Sequence, residues 1–273
     1  MNGIPDLISL VMLVRPGEAA VGPHWWGRAV YSQFLQLIEP RLAGELHEID
    51  GRKPFTCSTL RGPVRRGPEG SHVSPGETYW LRLTGFSAPV AEALLALEET
   101  PPATLELDRI GFHVLDVFTD RAGHPWAGVS SYAALYDQYM GKKEVLPRRV
   151  GLTFASPTAF RSQGKTALFP TPALVFLGLL NAWHAYYQPL FPVEDVRALV
   201  EAHVGVSRYE LGTRTFLAKE RHRELGFQGQ ITYRLMLPDD RIDWLFHLLA
   251  HYAFYAGVGK QTTTGMGQVR PRE

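Results

Sequence analysis

A single cysteine, Cys57, stands in a chain of 273 residues. No internal disulfide is possible, and no cysteine cluster can hold zinc. That scarcity suits a reducing compartment, and the expected location is the cytoplasm. Long apolar runs are missing as well. The most apolar early stretch, Leu7 to Val14, follows Asp6 and has no basic residues before it. A helical membrane span needs about 20 apolar residues, and a secretory signal needs a basic start. This run therefore reads as a buried first strand. Charge of one sign is also lacking: the formal net charge is only +1, so the balance as a whole does not point to a polyanionic partner.

Three ligand-binding signatures are absent in a more pointed way. Four glycines fall between Gly257 and Gly267, but Gly259-Lys260 is followed by Gln261 where a nucleotide P-loop needs serine or threonine. The dinucleotide fingerprint needs a third glycine at Thr262, and both patterns need a preceding strand, whereas a helix is expected here. His247 and His251 share one helix face at a spacing that suits zinc. The metalloprotease pattern requires glutamate at 248, which is Leu248, and no third ligand follows. The pair reads as structural, with neither a metal nor an organic cofactor expected.

What is present is a globular composition, 45% hydrophobic and 20% charged, over a length that suits two domains. Residues 7–14 fit a strand. Trp25 to His47 is amphipathic and helical, with a break expected after Ile38 because Pro40 cannot sit inside a continuous helix. Strands follow at 54–60 and 78–84, the second with Tyr79, Leu81 and Leu83 on one side and Trp80 and Arg82 on the other. A helix at 89–99 and a strand at 110–119 complete the order strand, helix, strand, strand, helix, strand. That order is a ferredoxin-like unit. Residues 120–128, with Gly123 and Pro125, read as a linker.

The second half repeats the order: a strand at 150–154, helices at 172–187 and 193–204, a hairpin from 205–219 and 226–237, a helix ending near Tyr255, and a closing strand at 263–270. Asp239 or Asp240 is placed to cap that last helix. The expected class is thus α+β, two tandem ferredoxin-like domains spanning residues 1–122 and 123–273, the second with helical insertions. Basic residues cluster locally. Arg52, Lys53, Arg61, Arg65 and Arg66 form one group, Lys142, Lys143, Arg148 and Arg149 a second, and Arg208, Arg214, Lys219, Arg221 and Arg223 a third. Such patches neutralise phosphates, or simply form solvated loops.

Three stretches carry a specific likeness. One is His47-Glu-Ile-Asp-Gly-Arg-Lys-Pro-Phe-Thr-Cys-Ser-Thr-Leu. Another is Phe154-Ala-Ser-Pro-Thr-Ala-Phe-Arg, followed by Leu168-Phe-Pro-Thr-Pro and a helix with Asn181, Ala182 and Trp183. The third is the glycine-rich segment that closes the chain behind a helix. In this order they resemble the repeat-processing endoribonucleases of CRISPR systems, members of the repeat-associated RNA-binding superfamily built on ferredoxin-like domains. The resemblance implies a metal-independent cut in which the RNA's own 2′-hydroxyl attacks the adjacent phosphate, leaving a 2′,3′-cyclic phosphate and a 5′-hydroxyl.

Under that resemblance His47 is the expected general acid/base, Lys53 the phosphate-stabilising cation and Tyr31 the third member. His24 is the rival histidine. Taken alone, His47 reads as a helix-terminal histidine favoured by the dipole. On a straight helix Tyr31 and His47 would be about 24 Å apart, so the break at Pro40 is what makes one site possible. Gly257, Gly259, Lys260, Gly265 and Gly267 are expected to cradle the RNA backbone. Arg61, Arg65, Arg66, Arg161, Lys165, Arg214, Lys219, Arg221 and Arg223 are candidate backbone contacts. The expected partner is CRISPR repeat RNA, with effector-complex subunits and a homodimer as further partners. The competing readings are an RNA-binding effector subunit without cleavage activity and a hydrolase using His247 and His251.

Overall fold

The computed structural model describes residues 5–140, 146–219, 222–236 and 240–272. The chain divides into two compact units: Met1–Ser130 with Phe216–Glu224 and Gln261–Gly265, and Ser131–Thr215 with Leu225–Lys260 and Met266–Glu273.

In the first unit β1 (Leu7–Pro16), β2 (Ala20–Gly22), α1 (Gly27–Leu37), α2 (Pro40–Glu48), β3 (Phe55–Cys57), β4 (Arg65–Arg66), β5 (Ser71–Val73), β6 (Tyr79–Gly85), α3 (Ala88–Glu99), β7 (Thr104–Leu107), β8 (Ile110–Phe118) and β9 (Gly128–Ser130) follow in order. The main sheet runs β3-β6-β1-β8-β7, with β9 also pairing β1. The pairs β1–β6, β1–β8 and β3–β6 are antiparallel. This is the ferredoxin-like order. Alternation along the strands explains the core: Leu10 pairs with Leu83 and Met12 with Leu81. All four are buried with Val30 and Phe34 of α1 and Val90 and Leu94 of α3. The Gly/Pro/Arg loop expected at 62–76 contains structure of its own. There β4 and β5 form a small sheet with β2.

Residues 120–128 are not a free linker. The Trp126 carbonyl accepts from Ser9 Oγ at 2.5 Å and Arg82 Nε at 3.2 Å, and the buried Arg82 guanidinium lies 5.1 Å from the Trp126 ring. These contacts carry the first unit through to Ser130, against an expected boundary at 122. Arg82, on the strand face opposite Leu81 and Leu83, is satisfied there by neighbours that sequence could not name.

The second unit contains α4 (Tyr132–Met140), β10 (Arg149–Thr158), β11 (Phe160–Ser162), β12 (Lys165–Ala167), α5 (Pro172–Tyr186), α6 (Val193–His203), β13 (Val204–Lys219), β14 (His222–Leu235), α7 (Asp240–Ala256) and β15 (Val269–Arg272). Its sheet runs β13-β14-β10-β15, again the ferredoxin-like order. Phe227, Ile231, Tyr233 and Leu235 are all buried, as their two-residue spacing predicts. Helix α4 has no counterpart among the predicted elements. Asp239 and Leu237 lie outside the described residues.

The closing strand differs from expectation. Residues 269–272 pair with β10, whereas Thr262–Thr264 form a 3-10 turn. Gly265 and Gly267 have φ of 100° and 69°, outside the β region, so a strand cannot run through them.

Candidate active site

The reversal between α1 and α2 creates the site. Glu39 precedes proline and takes φ −55°, ψ 133°, the extended conformation such a residue is pushed into. Pro40 then opens α2 at a position where its missing N–H leaves no hydrogen bond unmade. The chain folds back, and the Tyr31 hydroxyl lies 3.4 Å from His47 Nδ1, at the long end of hydrogen bonding. Tyr31 is half-buried and stacks on Phe55 at 5.9 Å. Burial, with Cys57 adding to it, raises its pKa, so the phenol stays protonated and able to donate. His47 is exposed. Its Nδ1 faces the phenol, and Nε2 lies on the other side of the ring.

Lys53 joins the same helix end in an unexpected way. Its Nζ donates to the carbonyls of Leu46 at 2.5 Å, His47 at 2.8 Å and Ile49 at 3.0 Å. An ammonium has three protons, and all three have acceptors here. The amine thus caps the C-terminal end of α2 and holds the backbone that carries His47. Burial lowers its pKa, partly countered by Asp50.

The glycine-rich segment is split between the two units. Trp25 Nε1 donates to the Thr264 carbonyl at 2.6 Å, and Gln261 Nε2 donates to Glu224 Oε1 at 2.7 Å, all within the first unit. Gln261 itself is left-handed, at φ 56°. The Thr264 carbonyl lies so close to α1 that a Cβ on Gly27 would sit 1.8 Å from it. Gly27 and Tyr31 are four residues apart, so the turn and the phenol lie along one side of α1. Trp25 also stacks on Phe216 at 4.1 Å.

In the second unit the amide of Lys260 donates to Ala159 O at 2.8 Å and that of Gly267 to Pro157 O at 3.1 Å. Ser156 Oγ accepts from the Gln268 amide at 2.9 Å. The Ser-Pro-Thr signature is therefore an anchor for the tail. The Gly257 amide caps α7 through Ala253 O. These amides are engaged within the protein.

Of the other predicted residues, Arg65 and Arg66 are exposed on β4, and Arg61 is half-buried opposite Trp80. Burial, with Arg66 adding to it, lowers the Arg61 pKa to about 10. Arg161 and Lys165 are exposed on the β11–β12 hairpin, while Arg214 and Arg223 are exposed on β13 and β14. Arg221, Lys142 and Lys143 lie outside the described residues, and the side chain of Lys219 is likewise not described. His24 lies between β2 and α1, with no hydrogen bond to the Tyr31–His47 pair among the described residues. His251 Nδ1 is within 2.9 Å of the Tyr139 hydroxyl and 3.0 Å of His247 O, and His247 Nε2 is 2.7 Å from Pro147 O. That pair is engaged within its own unit.

The family profile described as CRISPR-associated endoribonuclease Cas6 matches residues 152–269. A solved Cas6 product complex is 29% identical, with a TM-score of 0.78 covering 97% of this chain and 100% of that one. Over nearly its whole length the chain is similar to Cas6. Another solved structure of that Cas6, from Thermus thermophilus, is 25% identical over 99% of this chain and 100% of its own, with a TM-score of 0.73. The Cas6 of Streptococcus thermophilus is 28% identical over 123 residues, 45% of this chain and 50% of that protein. The chain spans about half the length of the curated Cas6 relatives it matches. The profile falls on the second unit and the tail, while Tyr31, His47 and Lys53 lie before it.

Proposed function

We propose that this protein is an endoribonuclease that cuts CRISPR repeat RNA within longer transcripts, without a metal ion. The observation that carries the reading is the Tyr31–His47 contact at 3.4 Å, with the Lys53 amine on the same helix end. The 2′-oxygen attacks the adjacent phosphorus, the P–O5′ bond breaks, and a cyclic phosphate and a 5′-hydroxyl result. His47 Nε2 exchanges the proton at this centre, as a histidine placed for general acid/base catalysis does. Tyr31 holds Nδ1 and thereby the ring. Lys53 contributes its positive field and a fixed helix end, since its protons are already shared with carbonyls. The match to the CRISPR-associated endoribonuclease Cas6 profile and the likeness to a solved Cas6 product complex support RNA as the substrate.

The deciding experiment incubates the protein with its cognate repeat RNA in EDTA. The expected outcome is cleavage to a 2′,3′-cyclic phosphate end. Activity lost in EDTA and restored by a divalent cation would overturn the metal-free chemistry. Tight binding with no product would identify an RNA-binding subunit instead.

A further inference from the structure

In the second unit β10 alternates strictly: Val150, Leu152 and Phe154 are buried, and Arg149, Gly151 and Thr153 point to the other face of the sheet. The register then assembles a row that sequence order hides. Arg149 pairs with Arg234, Gly151 with both Thr232 and Arg272, and Thr153 with Gln230 and Arg270. Four arginines thus share one face of three strands, all of them exposed, with no acidic residue at those positions. Like charges placed directly opposite, as Arg149 and Arg234 are, destabilise a sheet. An anion is the natural complement of such a row.

A hollow adjoins Arg149 and Arg272. This cavity of about 660 Å³ is lined by Arg149, Gly151, Arg208, Thr232, Arg272 and His247, among others. Among the described residues no carboxylate lines it, and it lies in the size range of small-ligand pockets. Gly151 helps keep it open: a Cβ there would stand 3.0 Å from Arg272 Cβ, where the arginine stem crosses the strand. A glycine in a strand interior marks a close approach of this kind.

We propose that this cavity is a second RNA subsite, holding one phosphate-bearing nucleotide of a single-stranded segment by its backbone. The proposal rests on the reading of the substrate as repeat RNA. Three arginines around one hollow supply bidentate phosphate contacts, and Thr232 offers a hydroxyl to the sugar. The subsite contributes affinity and leaves the chemistry to His47.

The test uses labelled cognate repeat RNA, measuring both the dissociation constant against salt and the single-turnover rate at saturating protein. Arg149→Ala/Arg272→Ala is expected to weaken binding at least about tenfold, with the salt slope falling by about 1.4. Gly151→Leu, which fills the hollow and keeps the charges, is expected to weaken binding too. In both variants the saturated cleavage rate stays near wild type. Unchanged affinity and slope in both would overturn the subsite while wild-type cleavage left the enzymatic reading standing. Weakening in the arginine variant alone would reduce the hollow to diffuse surface charge and overturn the pocket. Loss of the saturated rate at unchanged affinity would move these residues into the chemistry and also overturn it. A wild-type protein that neither binds nor cuts the RNA would overturn both readings.

Discussion

At the scale of single residues, the division of labour among Tyr31, His47 and Lys53 is the point most open to measurement. His47 has one nitrogen at the phenol. In the proposed mechanism the other carries the proton transfer, which replacement would remove while leaving the surrounding charges in place. We expect His47→Ala to lower the single-turnover cleavage rate at least about a hundredfold, with repeat-RNA affinity within about threefold of wild type. Normal cutting by that variant, with loss in His24→Ala, would move the role to His24. Lys53 is legible as a cation in the sequence, but its use as a cap on Leu46, His47 and Ile49 is not, because a cap depends on where the helix ends. Lys53→Met is expected to slow cleavage less than His47→Ala does and to lower thermal stability by up to about 1 kcal/mol. A loss of rate at full stability would favour a direct charge on the phosphate over the cap.

At the scale of elements, the helix break and the glycine tail had different degrees of visibility. Pro40 announces the break between α1 and α2, since proline restricts both itself and the residue before it. The tail announces only that it cannot be regular. Its true use, a 3-10 turn held by Trp25 and a strand beginning only at Val269, depends on partners more than 100 residues away in the chain. Gly259 shows the constraint most sharply. At φ +86° it lies in the left-handed region, and a Cβ would stand 2.5 Å from Ala159 O. Gly259→Ala should destabilise the protein by about 2 kcal/mol in denaturant unfolding. Gly178 in α5, whose Cβ would meet nothing within 4 Å, is the control. Gly178→Ala should be neutral or stabilising by up to about 1 kcal/mol. Equal effects at the two positions would show that the tail's geometry does not matter to the fold.

At the scale of the whole molecule, each unit contains a histidine whose ring accepts a backbone proton. His124 Nδ1 accepts from the Trp126 amide at 3.2 Å in the first unit, and His184 Nε2 from the Leu190 amide at 3.1 Å in the second. Burial lowers both pKa values, and Arg82 lowers that of His124 further. A histidine with a depressed folded pKa binds its proton more readily when unfolded. Between the folded pKa and the unfolded value near 6.5 the unfolded chain therefore holds more protons, and stability falls as pH drops through that window. Above it the contribution is flat. Melting temperatures measured from pH 8 to 5 should decline below about pH 6.5, and His124→Gln/His184→Gln should shallow that decline. An unchanged slope in the double variant would assign the acid sensitivity elsewhere.

The ferredoxin-like order of the main strands and helices, the helix break at Pro40 and the family likeness follow from sequence alone, because each depends on local periodicity, on proline and glycine, or on contiguous motifs. Strand register and side-chain partnership do not. Arg149, Arg234, Arg270 and Arg272 are scattered along the chain and meet only when β10 pairs with β14 and β15. The Tyr31–His47 contact and the carbonyl cage around Lys53 likewise exist only after the chain has turned back on itself. Tertiary structure decided these, since a distance between residues far apart in sequence is a property of the fold and not of any window of residues.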